Sequence, residues 1–143
     1  VASDADWQRV KAIRTAVFIE EQACPPDEEW DEFDAVSRHF LGSIGDEAIA
    51  TARWRVALHE ERSVAKLERF AVLRPWRGRG FGRELVAAVM HDAARAGFRT
   101  YFLHAQAHLE DFYRSMGFVT VSGRFMEASI PHVAMLRVDP DDS

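Results

Sequence analysis

The hydrophobic period of this chain changes across one glycine-rich, basic hexapeptide, Arg77-Gly78-Arg79-Gly80-Phe81-Gly82, and that change restricts the folds open to it. Before the hexapeptide, Val64 to Leu73 reads as a strand, with Leu67, Phe70 and Val72 apolar and Pro75 closing the run. After it, Leu85, Val86, Val89, Met90, Ala93 and Ala94 keep helical spacing up to Gly97, a natural C-terminal stop. Thr100 to Ala105 then reads as a short strand. Strand, loop, helix, strand is a βαβ unit, and such a unit requires a parallel pair joined by a crossover.

The flanking segments demand the opposite pairing. Arg38 to Ser43 and Ala48 to Leu58 predict a hairpin about Gly45-Asp46, and Phe118 to Met126 with His132 to Val138 supply two last strands. Trp7, Val10, Ile13, Val17 and Phe18 recur near helical spacing, so a first helix is expected from about Asp6 to Glu21, capped by Ser3 or Asp4 and ended by Pro25 and Pro26. Ala107 to Met116 reads as a further helix closed by Gly117. The sheet must therefore be mixed, in an α/β layer protein with helices on both faces.

A chain of 143 residues fits one domain without disulfides or structural metal, and 48% hydrophobic with 29% charged residues is an ordinary globular composition. No run approaches the length of a membrane-spanning helix, and no basic region followed by an apolar core marks a signal peptide, so the cytoplasm is the expected location. The net charge of -5 argues against a protein that coats nucleic acid. Charge is unevenly placed: arginines cluster from Arg69 to Arg99, and acids from Glu20 to Asp34. One part suits an anion, the other a cation. Cys24 is the single cysteine, which precludes an intrachain disulfide, and neither it nor His39, His59, His91, His108 and His132 has metal-ligand spacing.

Glycines allow sharp turns and close approach of backbone N–H groups to an anion, while a helix N-terminus adds fixed positive charge, so the hexapeptide reads as a pyrophosphate cradle. It is not a nucleotide-hydrolase phosphate loop, because no Lys-Ser/Thr pair follows, and not a dinucleotide fingerprint, because Gly78, Gly80 and Gly82 fall at one, three and five with Arg83 at six. Arg79-Gly80-Phe81-Gly82 matches only the start of an RNA-recognition strand, after which Arg83-Glu84-Leu85-Val86 turns helical.

Phe70 to Gly82 resembles the acetyl-CoA signature of the GNAT N-acetyltransferases: a strand leading to a proline, then Gln/Arg, two residues, Gly, any residue, Gly/Ala. Phe112-Tyr113-Arg114-Ser115-Met116-Gly117-Phe118 resembles the family's later Phe/Leu-Tyr, three residues, Gly-Phe element. One departure is Gln106, where many relatives carry Asn. The resemblance implies a mixed, mostly antiparallel central sheet of about six to seven strands. It also implies an enzyme that transfers the acetyl group of acetyl-CoA to a primary amine of a small molecule or peptide while both are bound. A CoA-holding sensor module of the same fold is the alternative.

By the same resemblance, Arg77, Gly78, Arg79, Gly80, Phe81, Gly82 and Arg83 hold the pyrophosphate, and Phe70, Ala71 and Val72 run beside the pantetheine arm, with an N–H near Val72 polarising the thioester carbonyl. Tyr113 is the candidate acid for the departing thiolate, and Glu68 the candidate base, with His104 or a water chain as alternatives. The stretch from Glu20 to Asp34 would line the acceptor pocket and favour a cationic amine, unless it is simply a solvated loop. No metal, nucleic acid or membrane partner is expected, and a homodimer is left open.

Overall fold

Alternating and helical patterns resolve into one seven-stranded sheet covered on both faces, seen in a computed structural model that describes residues 3–24 and 26–140. Helix α1 (Asp4–Arg14) starts where Ser3 Oγ accepts the N–H of Asp6 at 3.1 Å, with Asp4 and Asp6 in the first turn complementing the dipole. The expected single helix to Glu21 instead widens after Arg14 into π-helical turns over Thr15–Glu21. Pro25, one of the two prolines expected to stop it, lies outside the described residues, and Pro26 opens the short helix α2 (Pro26–Glu29).

Strands β1 (Arg38–Ile44), β2 (Glu47–His59) and β3 (Arg62–Val72) form an antiparallel meander. Helix α3 (Phe81–Arg95) carries the crossover to β4 (Thr100–Gln106), which lies parallel to β3 as the βαβ pattern requires. After the short helix α4 (Glu110–Arg114), strands β5 (Val119–Thr120), β6 (Phe125–Glu127) and β7 (Ile130–Val138) complete the sheet in the order β1-β2-β3-β4-β7-β5, with β6 also on β7. The strand expected from Phe118 to Met126 is thus two strands. Ser122 explains the break, because its hydroxyl accepts the Ala134 N–H at 2.8 Å in place of a ladder carbonyl.

The two faces bury different sets. Leu85, Val86, Val89, Met90 and Ala93 of α3 pack on Leu67, Tyr101, Leu103 and Met135, while Ile13 and Val17 pack on Ala71 from the other side. A fully buried Leu such as Leu67, 1% exposed, contributes on the order of 2 kcal/mol by burial. No helix among the described residues is long and apolar enough to cross a membrane.

Two irregularities in β3 shape the site. Its register on β2 moves from Arg53–Glu68 to Thr51–Ala71, so an extra residue bulges at Arg69, whose φ is 61°. The bulge swaps the strand's faces: Leu67 before it and Phe70 and Val72 after it all pack on the α3 side. The second irregularity lies on the other edge, where β3 pairs with β4 only at Ala65–Tyr101 and Lys66–Phe102. Beyond Lys66 the two strands part and leave a cleft.

Candidate active site

The cleft exposes one backbone edge of β3. Leu73 donates its N–H to Ile49 O at 2.8 Å, across to β2, so by strand alternation Val72 turns its N–H and C=O the other way. The Val72 carbonyl accepts Arg77 Nε at 2.8 Å, and the same guanidinium reaches Glu21 at 2.9 Å. An edge of this kind can receive an extended ligand arm as an added strand.

The glycine-rich loop closes one end of the cleft. Gly78 and Gly80 have φ of 77° and 86°, the left-handed region in which a side chain is strained. Among the described residues, no acceptor engages the backbone N–H groups of residues 78–83, and Gly80 caps α3 without a side-chain hydrogen bond. Consecutive free N–H groups at the start of a fifteen-residue helix form an anion site. Arg79 lies over the Trp76 ring at 5.2 Å, and Arg83 bonds Ser115 Oγ at 2.7 Å, which ties the loop to α4. These groups fit a diphosphate.

On the α1 side a cavity of about 510 Å³ adjoins the cleft, and Tyr113, Glu68, His104, Lys66, Gln106 and Glu127 are among its lining. Tyr113 packs among Phe70, Phe112 and Phe118, and burial pushes its phenol well above the usual range, so the protonated form prevails. No hydrogen bond engages its hydroxyl among the described residues. Gln106, the departure from the family pattern, bonds Gln22 Oε1 at 3.2 Å and bridges β4 to the π-helical turns.

Glu68 occupies a ring of cations: Arg55 Nε at 2.7 Å, Arg53 Nη2 at 3.1 Å and Lys66 Nζ at 3.4 Å. Burial opposes its ionisation, but these three charges outweigh burial and hold it below the ordinary carboxylate range. Three carboxylates of the acidic stretch, Glu29, Asp31 and Asp34, are likewise turned inward, while Glu20 and Glu32 are exposed. Buried Arg14 binds Glu29 and Asp34 at 2.5 and 2.6 Å, buried Arg53 binds Asp31 and Asp34 at 2.8 and 2.7 Å, and Arg69 reaches Glu29 and Asp31 at 3.1 Å each. These three carboxylates, which looked ready for a cationic acceptor, therefore pair with the protein's own arginines.

Opposite Glu68, His104 Nδ1 lies 3.0 Å from Glu127 Oε1, and His132 Nε2 lies 3.5 Å from Glu127 Oε2. Among the described residues no three His, Cys, Asp or Glu side chains converge as a metal site. Sequence reasoning overlooked Arg14, Glu127 and His132, whereas a pairing of Glu68 with Arg53 is one that the sequence allows and the structure contains. Arg14 had a legible signal, since it shares the helical face of Val10, Ile13 and Val17; the other two meet only through the tertiary fold.

A family model described as Acetyltransferase (GNAT) domain matches residues 8–138. The chain belongs to the GNAT acetyltransferase family. A Bacillus subtilis (strain 168) protein named as an acetyltransferase is 36% identical over 97% of this chain and 94% of its own. The crystal structure of an acyl-CoA N-acyltransferase from Pseudomonas aeruginosa superposes with a TM-score of 0.83 at 29% identity, covering 95% of this chain and 92% of that one. An aminoglycoside 6'-N-acetyltransferase complexed with coenzyme A shares the fold alone, with a TM-score of 0.74 at 15% identity over 97% and 95% of the two chains. Acyl transfer is thus the chemistry of this GNAT protein's family, and both of its motif segments border the same cleft.

Proposed function

We propose that the chain transfers the acetyl group of acetyl-CoA to a primary amine of a small molecule or peptide, directly and with both bound. The supporting observation is the junction of two unlike spaces at Tyr113: a cleft ending in free N–H groups of residues 78–83, and a cavity of mixed apolar and charged lining for the acceptor. The coenzyme A seen in the aminoglycoside relative favours this use of the cleft.

Backbone N–H groups of 78–83, with Arg79 and the α3 dipole, hold the diphosphate, and the cleft-facing edge of Phe70 to Val72 aligns the pantetheine arm, which takes over the Val72 carbonyl from Arg77. The Val72 N–H is aimed to polarise the acyl carbonyl. Bound acetyl-CoA supplies an activated thioester. Tyr113, kept protonated by burial, donates its phenolic proton to the departing thiolate. Glu68 stays ionised among its three cations, so it orients the incoming amine better than it removes a proton.

The test is a screen of amines against purified protein and acetyl-CoA, following release of thiol. At least one amine should give turnover that Tyr113→Phe reduces by about a hundredfold while acetyl-CoA affinity is retained. Tight acetyl-CoA binding with no turnover on any amine would identify a sensor module instead.

A further inference from the structure

On the reading above, a proton must leave the amine, and three cations already occupy the Glu68 carboxylate. We infer that His104 accepts that proton, with Glu127 as its positioning residue. A carboxylate only accepts, so the 3.0 Å contact puts the proton of neutral His104 on Nδ1 and leaves the Nε2 lone pair available. Nε2 has no hydrogen-bond partner among the described residues, and the ring shares its cavity with Tyr113. Phe102 and Phe125 pack edge-on at 5.4 and 4.9 Å and fix the ring plane.

Behind His104 the support is the β6–β7 hairpin itself. His132, buried, donates Nδ1–H to the Ile130 carbonyl at 2.7 Å, so in the neutral ring Nε2, 3.5 Å from the second oxygen of Glu127, carries only a lone pair and makes no hydrogen bond to that carboxylate. Ala128 and Ser129 form the tight turn of the β6–β7 hairpin with φ of 49° and 64°, a left-handed pair without glycine. Such strain persists where surrounding structure requires it, and this turn is what carries Glu127 over β4. The charged and titratable groups that line the cavity around His104 include Glu127 from β6, His132 from β7, Lys66 and Glu68 from β3, Arg55 from β2 and Tyr113 from α4.

As the amine nitrogen bonds the acyl carbon, its N–H bond breaks and Nε2–H forms. The Glu127 carboxylate holds the resulting imidazolium charge, and the proton then passes to solvent. The breaking C–S bond leaves a thiolate that takes the Tyr113 proton, and solvent restores the phenol. The sum is amine plus thioester giving amide plus thiol.

Two readouts test this. Nitrogen-15 NMR of the histidine rings in the ligand-free protein should find neutral His104 protonated at Nδ1; protonation at Nε2 would overturn the dyad. In turnover, His104→Gln should lower kcat at least a hundredfold with acetyl-CoA affinity and thermal midpoint retained, and more than a third of kcat remaining would contradict it. Glu127→Gln should move the acid limb of kcat/KM to lower pH, because the imidazolium loses its counter-ion; an unmoved limb denies Glu127 its role. Wild-type protein that bound no acetyl-CoA would sink the proposed function, while the tautomer would still decide the dyad.

Discussion

Tyr113 and Glu68 show how environment reinforces the roles that residue type already divides between neighbouring groups. Both line one cavity, yet burial alone acts on the phenol, while Arg53, Lys66 and Arg55 overcome burial at the carboxylate. One group is kept protonated and the other ionised, which is the division an acid and an anionic guide require. Glu29 is a structural counterpart, 2% exposed and bonded to Arg14, itself 1% exposed. Removing one partner of a buried pair strands the other charge, so Glu29→Gln should cost about 3 kcal/mol in urea unfolding. A loss below about 1 kcal/mol would show that Arg14 finds its compensation elsewhere.

The loop before α3 and the segment before β1 carry the local structure on which binding depends. An added Cβ at Gly80 meets nothing within 4 Å, so a substitution there acts through φ rather than crowding. Gly80→Val should lose about 1–2 kcal/mol of stability and weaken acetyl-CoA binding roughly tenfold, as read by denaturation and calorimetry. The segment before β1 titrates. At Asp31 burial works against ionisation, but Arg53, Arg69 and the Phe33 N–H hold its carboxyl down to about 2. With a folded value below the unfolded value of about 3.9, the folded state binds fewer protons, so this contribution is whole above about pH 4 and is lost as pH falls towards 2. Asp31→Asn should flatten that part of the stability profile; an unchanged profile would locate acid sensitivity in other carboxylates.

For the molecule as a whole, the crossover was legible because it rests on local signals: strand period, glycines, helical period, then strand again. The mixed sheet followed from it, and the observed topology agrees. The positioning of Glu68, Glu127 and His132 around one cavity was not legible, because it depends on a bulge at Arg69 and on a hairpin brought over β4 by β7. Likewise, the acidic stretch seemed available to a ligand only because its partner arginines lie on other elements. A ligand that binds the folded state alone adds stability, so acetyl-CoA at a hundredfold its Kd should raise the thermal midpoint by roughly 5–10 °C. No shift at that excess would mean the cleft holds something else.

A crystal structure of the protein with acetyl-CoA bears on the account most directly. The diphosphate oxygens should lie at hydrogen-bonding distance, about 2.7–3.2 Å, from backbone N–H groups of residues 78–83, with the sulfur beside the Tyr113 hydroxyl. A diphosphate bound away from the start of α3, or a sulfur remote from Tyr113, would contradict it.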